Sequence, residues 1–248
     1  MRIYVGFDDT DNLTAERGTG KLARWFEEEL PEGSRMEGVV RQQLLVDERI
    51  PYTSHNSSAC VMVDAPDASW VTLITIRAIE HLKRHSLEGS DPGLCVAWEE
   101  NGSLAALMAF GRTCTSRVVT QRDALEAARR SHLSGHGGTN DGIIGAAAAV
   151  GLTASGWSGR FIEYKKLRNF PDPIRVLELE RSDILVVSSD NDTRVPAPED
   201  LVYTKGWLRP RLWGGRAVLL VTPKGEGVWE SVGKKRNKGK KTAISPAS

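Results

Sequence analysis

The sequence predicts a layered protein of mixed α/β or α+β class. Through residue 130, short apolar runs of strand length alternate with segments whose apolar residues recur at helical spacing. Past a glycine-rich stretch near residue 131, short strand-like runs dominate, which marks a second unit. With 248 residues, 40% hydrophobic and 26% charged, the chain can bury a substantial core in one or two domains.

In order, residues 3–7 read as a buried strand. Residues 21–30 read as a helix carrying Leu22, Trp25, Phe26 and Leu30 on one face, stopped by Pro31 and Gly33. Residues 38–46 form a second strand, and a polar loop over 49–58 leads to a third at 60–63. The longest helical pattern, 68–85, carries Trp70, Leu73, Ile74, Ala78 and Leu82 on one face. A fourth strand is expected at 94–98, then helices at 103–110 and 121–130 separated by Gly111. Residues 131–138 read as a flexible junction. Strands follow at 161–164, 184–187, 217–221 and 227–231, with 172–180 open between helix and strand. The division is 1–131, 132–232 and a basic tail, 233–248, with too few apolar residues to bury and so disordered.

The totals narrow the function classes. The formal charge of +1 offers no global case for nucleic-acid binding. Cys60, Cys95 and Cys114 are far apart and odd in number, which argues for buried reduced thiols over a disulfide framework or zinc ribbon. No run reaches membrane-spanning length, and the N-terminus enters a strand directly, so a cytoplasmic protein is expected.

Chemistry concentrates where the first strand ends. Asp8, Asp9 and Asp11 place three carboxylates within four residues, followed by Thr19, Gly20 and Lys21 at the start of a helix. Like charges that close repel. The turn is either a set of solvated acids or a site for a hard cation such as Mg²⁺, which one or two carboxylates hold together with substrate phosphates. Lys21 is a phosphate contact in the second reading. A further turn, Gly138-Thr139-Asn140-Asp141-Gly142, opens a small-residue helix. Thr139 or Asn140 would cap it, and its free amides would hold an anion such as phosphate. The loop with Tyr52, His55 and Asn56 offers a ring for stacking and two hydrogen-bonding groups. His136 is an extra candidate, while His81, His85 and His132 read as surface residues without a role. Lys234, Lys235, Arg236, Lys238, Lys240 and Lys241 would draw the tail to polyanions such as nucleic acid, or serve only to solubilise it.

A phosphate-loop match at Gly18–Lys21 fails, because Ala15 stands where a glycine is needed and Leu22 where a Ser or Thr is needed. Asp9-Thr10-Asp11 resembles the Asp-x-Asp of haloacid-dehalogenase phosphatases, with Gly137 in place of a later metal-binding Asp. A fuller match comes from four motifs in order. They are Val5 to Asp11; Arg17-Gly18 with Thr19 and Leu22-Ala23; Arg49-Ile50-Pro51-Tyr52; and Asp141-Gly142-Ile143-Ile144-Gly145-Ala146-Ala147. Together these resemble the archaeal agmatidine synthetase family, which uses ATP and agmatine to modify the wobble cytidine of a minor isoleucine tRNA.

The resemblance covers residues 1 to about 232. It implies a kinase-like domain followed by a ferredoxin-like α+β domain, in a shortened homologue lacking the family's OB-fold and zinc ribbon. It implies that Asp8, Asp9 and Asp11 hold Mg²⁺ and ATP phosphates, with Thr10, Arg17, Gly18, Gly20 and Lys21 around them. Thr19 falls near the family's autophosphorylated threonine. Asn140, with Asp141 and Gly142 beside it, would bind the second substrate or its phosphate. The expectation is an ATP- and Mg²⁺-dependent phosphoryl- or nucleotidyl-transfer enzyme with a small amine or an RNA as acceptor. A noncatalytic nucleotide- or RNA-binding module and a dehalogenase-type phosphatase stand as alternatives.

Overall fold

The computed structural model describes residues 1–12, 14–15, 17–50, 56–100, 102, 104–190 and 194–233. Its spine is the strand β1 (Arg2–Asp8), which pairs antiparallel with β3 (Ser57–Asp64) on one side and β4 (Gly93–Trp98) on the other. Alternation along β1 sends Ile3, Val5 and Phe7 to one face of the sheet and Tyr4, Gly6 and Asp8 to the other. The first set packs against Leu22 and Phe26 and against Ile74, Ala78 and Leu82. These belong to α1 (Thr19–Trp25), the 3₁₀ turn Phe26–Glu29, and α2 (Trp70–His85). The second set faces α5 (Gly142–Ala154), flanked by α3 (Leu104–Cys114) and α4 (Gln121–Ala127).

The sheet continues. Among the described residues its order is β5-β4-β1-β3-β2-β6-β10-β11-β12-β9-β7, with β8 on β11. Here β2 is Arg35–Gln43, β5 His132–Gly135, β6 Arg160–Tyr164 and β7 Ile174–Arg175. The remaining strands are β8 Ile184–Ser188, β9 Leu201–Tyr203, β10 Arg211–Trp213, β11 Arg216–Gly225 and β12 Val228–Ser231. The β2–β6 pairing carries the sheet on from β1 and its neighbours to the C-terminal strands. Most pairs are antiparallel, but β11–β8 and β12–β9 are parallel, so the sheet is mixed and the protein is α+β.

Several local expectations are corrected. Gly111 does not separate two helices. It lies inside α3, where a side chain would meet the backbone of Ala148 and Leu152 at 3.0 Å. The break comes later and is set by the capping box of Thr120 and Asp123. Residues 132–135 are not a flexible junction but an edge strand paired with β4. The open segment near 174 is both things in turn, β7 and then α6 (Val176–Arg181). His81 is not a surface residue: it is 1% exposed, its ring centroid 5.3 Å from Phe26 and 6.2 Å from Phe7. Burial holds its pKa below the ordinary value. The three cysteines are free and buried as expected, and burial pushes the Cys60 and Cys114 thiols up to about 12. No helix among the described residues is long and apolar enough to cross a membrane. The basic tail from residue 234 lies outside the described residues.

The α5 helix rests on β1 and β4 backbone to backbone. A Cβ on Gly6 would sit 2.2 Å from the Ala146 carbonyl oxygen, and one on Gly93 would sit 2.0 Å from the Gly142 carbonyl carbon. No side chain fits there, so Gly6→Ala should cost about 1–3 kcal/mol by overpacking. Gly225→Ala, where nothing lies within 4 Å, should stay within about 0.5 kcal/mol. Urea midpoints of the two variants against the parent chain test this, and equal midpoints for all three would refute the close contact.

Candidate functional site

The α5 face of β1 carries Asp8 at its C-terminal end. The carboxylate lies directly under the helix, since a Cβ on Gly145 would fall 1.7 Å from Asp8 Oδ2. Burial pushes this carboxyl up to about 8. The charges of Asp9 and Asp11 add to the shift, while a backbone hydrogen bond from Asp9 opposes it. The residue keeps some exposed surface, but the packing against Gly145 explains why its carboxylate is poorly solvated. At Asp9 the backbone turns out of the strand with φ 47°, a conformation that Asp tolerates better than most residues. Burial raises Asp9 to about 6, helped by Asp91, Asp11 and Asp141.

The return of the chain into α1 closes the turn. Thr10 is fully buried, and both its amide and its hydroxyl donate to Thr19 Oγ1, at 3.4 and 3.1 Å. Thr19 is the first residue of α1, and Gly18 before it leaves room for Asp11, whose Oδ2 lies 3.3 Å from where a Cβ would stand. Asp8, Asp9 and Asp11 do not bring three ligand atoms within 4.8 Å of one another.

The start of α5 differs from expectation. Neither Thr139 nor Asn140 caps the helix; Asp141 is the N-cap residue and no side chain closes it. The amides of Thr139, Asn140 and Asp141 all donate to the Asp91 carboxylate, at 3.1, 2.8 and 2.9 Å, and the Thr139 hydroxyl does so at 2.6 Å. The anion held by this turn is therefore the protein's own. Gln121 ties α4 to the same turn by donating to the Thr139 carbonyl and to Asp141 Oδ1.

These elements enclose a cleft of about 380 Å³. Of the residues singled out in the sequence, Asp8, Asp9, Asp11, Thr19, Asn56, Asp141 and Gly142 line it. Asn56 also has a structural task, since its side chain donates to the Leu45 carbonyl at 2.6 Å. Arg17 and Lys21 are not brought to the cleft. They stand over the Trp25 ring at 5.3 and 5.1 Å and border a separate hollow with Asn12 and Glu88. Gly20 packs on Ile162, and the Asn140 side chain packs against Gly135. His136 shares the Ser134 hydroxyl with His132, each at 2.8 Å, and lines another hollow. Tyr52 and His55 lie outside the described residues.

Sequence reasoning passed over three contributors: Arg117 on the cleft wall, Gln121 on its lining, and Asp91 behind the α5 turn; Arg49, which entered there only as part of a motif, also lines the cleft. Arg117 follows α3 without any motif to mark it, and Asp91 sits in the loop before β4 with no pattern that ties it to the α5 turn. An apolar wall of Leu44, Ile50, Val118, Val119 and Ile144 completes the cleft.

No family model matches the chain, and no curated protein matches it. Solved structures do. TiaS, an agmatidine synthetase acting on an isoleucine tRNA, matches in its complex with that tRNA and ATP, with a TM-score of 0.52 at 26% identity. This chain is similar to the agmatidine synthetase. A tRNA fluorescent labelling enzyme matches with a TM-score of 0.51, also at 26% identity. In both cases the match covers 61% of this chain and 36% of the other, so the chain spans about a third of the length of the structures it resembles. The resemblance to the synthetase read from four ordered motifs is thus borne out over 61% of the chain, a smaller share than the expected residues 1 to about 232.

The raised carboxyls set a pH dependence. Asp8 and Asp9 hold their protons to higher pH when folded than when unfolded, so the folded state binds more protons between the ordinary carboxylate pKa and about 8. Stability should therefore fall as pH rises across that window in buffer free of divalent cations. Asp8→Asn should flatten the upper part of the slope, above about pH 6. Urea midpoints across pH measure this, and a parent midpoint that rises steadily through the window would contradict the burial of Asp8.

Proposed function

We propose that the cleft binds ATP with Mg²⁺ and that the chain transfers a phosphoryl or nucleotidyl group to a small amine or an RNA. The observation that carries this reading is the pair Asp8 and Asp9. Two carboxyls raised to about 8 and about 6 stand at one end of a cleft of about 380 Å³. Their repulsion becomes useful only when a cation offsets it. Three acids that do not converge as a full set of ligands suit Mg²⁺, which keeps several waters and shares its shell with phosphates. When bound, such an ion would offset the charge that develops on the phosphates during transfer.

The chain's own residues then divide the work. Asp8 and Asp9 hold the cation, with Asp11 beside them across Gly18. Arg117, on the cleft lining, contacts the phosphates, and Arg49 joins it by leaving its ion pair with Asp47. The apolar strip of Val118, Val119 and Ile144 takes the base and excludes water. Thr19 is a candidate phosphoacceptor: it lines the cleft, and its hydroxyl accepts from Thr10, which leaves its own proton uncommitted to that pair. We read residues 1–131 as a kinase-like unit and 132–232 as a ferredoxin-like α+β unit whose first helix, α5, closes on β1. The basic tail is then an arm for polyanions in a cytoplasmic protein. The similarity to TiaS bound to its tRNA and ATP supports ATP as the donor and leaves tRNA and agmatine as acceptors to test.

Incubation with γ-labelled ATP and Mg²⁺ should release labelled phosphate or label the chain itself if a phosphoryl group moves, and should release labelled pyrophosphate if a nucleotidyl group moves. Asp8→Ala or Asp9→Ala should lower it by a factor on the order of 10² or more. Arg117→Ala should weaken ATP binding with the fold intact. Absence of all three products in the parent chain would sink the catalytic reading. Asp91 already occupies the amides at the start of α5 that a phosphate would use, so the phosphates are expected at the acidic turn and not there. A noncatalytic nucleotide-binding module would instead show ATP binding by calorimetry without turnover. Hydrolysis of small phosphomonoesters without ATP would point to the phosphatase.

A further inference from the structure

On the opposite face of the sheet from Asp8, one side-chain cluster is used by nothing above. Glu29, at the end of the 3₁₀ turn, meets His81 and His85, one helical turn apart on α2, with one ligand atom from each within 4.8 Å of the others. Three features separate this cluster from a chance meeting of polar groups. His81 is 1% exposed, and its Nδ1 is buried without a hydrogen-bond partner among the described residues. Its Nε2 lies 2.9 Å from the Leu22 carbonyl oxygen, which can only accept, so Nε2 carries the proton and Nδ1 presents a lone pair. That lone pair faces Glu29 Oε1 at 3.9 Å, an arrangement of two electron-rich groups that invites a cation between them.

We propose that Glu29, His81 and His85 form a binding site for a transition-metal dication of the Zn²⁺ class. Two imidazoles four residues apart on one helix and a carboxylate from a neighbouring element are a donor set that Zn²⁺ accepts, leaving a fourth position for water. The Leu22 carbonyl serves as the outer partner that fixes the ring of a ligating histidine. Zn–N bonds of about 2.0–2.1 Å put tetrahedral ligand atoms about 3.3 Å apart, so Glu29 has only about 0.6 Å to close. Its present partner, Arg84 at 2.7 Å, is more than half exposed and free to swing away, and such surface pairs are weak. The ligands join the 3₁₀ turn after α1 to the end of α2, so the ion would act as a staple on the helical layer and is separate from the acidic cleft.

The test uses the full chain, treated with chelator and then titrated with Co²⁺ and with Zn²⁺. Loaded protein should show the intense visible bands of Co²⁺ with nitrogen ligands, Zn²⁺ should abolish them, and Zn²⁺ should raise the thermal midpoint of the parent chain. His85→Ala, a change at the rim of the cluster, should remove both effects while its circular dichroism spectrum stays that of the parent. Glu29→Gln should weaken Co²⁺ binding by at least tenfold. Absence of Co²⁺ bands in the parent chain, or bands of equal strength in His85→Ala, would overturn the proposal. Loss of the bands in Asp8→Asn would place the ion in the acidic cleft and overturn it equally.

Discussion

The contact on which the rest of the structure depends is the seating of α5 on β1 and β4 without intervening side chains. Gly6, Gly93, Gly142 and Gly145 each occupy a position where a Cβ would overlap backbone or a carboxylate. Gly151 extends the same closeness toward α3, since a Cβ there would lie 1.9 Å from the Leu107 carbonyl oxygen. The run Ala146–Ala149 keeps the helix thin along its whole buried face. A helix with ordinary side chains on this face would stand farther off, and the end of β1 would open to water. Close seating is thus both the main packing decision of the fold and the reason Asp8 is poorly solvated.

An electrostatic consequence follows directly. Asp8 occupies the place in β1 that alternation assigns to the α5 face, so a charged group is carried beneath a helix. Asp9 then leaves the strand in a left-handed conformation, and Asn140 enters α5 at φ 68°. Two residues in uncommon backbone regions, one of them carrying a destabilised carboxyl next to that of Asp8, form a locally unfavourable arrangement held by the packing around it. Such spending of stability is the usual mark of a site where a ligand supplies the compensation. The amide nest filled by Asp91 is the counterpart: there the protein has satisfied its own donors and no external anion is called for.

The two faces of β1 thereby serve different ends. On the Ile3–Val5–Phe7 side, aromatic and aliphatic packing with α1 and α2 is dense enough to bury His81 between Phe7 and Phe26. On the Tyr4–Gly6–Asp8 side, small residues leave room for a carboxylate and a cleft. One strand separates a structural layer from a chemical one.

The apolar periodicities and the glycine and proline punctuation were enough to locate β1, α2, β4, β6, β8, β11 and the acidic turn, because these follow from local rules of burial and chain direction. The order of four short motifs was enough to indicate the synthetase resemblance. What local pattern could not hold was the partnership of distant residues. Whether Gly111 breaks a helix or packs one depends on Ala148, nearly forty positions away. Whether His81 is a surface ring or a buried one depends on Phe7 and Phe26. The amides before α5 look free in the sequence because Asp91 lies some fifty residues upstream and is delivered only by the pairing of β4 with β5. Arg17 and Lys21, adjacent in sequence to the acids, turn away to Trp25, while Arg117 arrives from another element. The sequence by itself determined which groups carry charge and where the chain must turn. Only the tertiary structure decided which of those charges share a cleft, because burial and Coulomb interaction depend on distance through space and not along the chain.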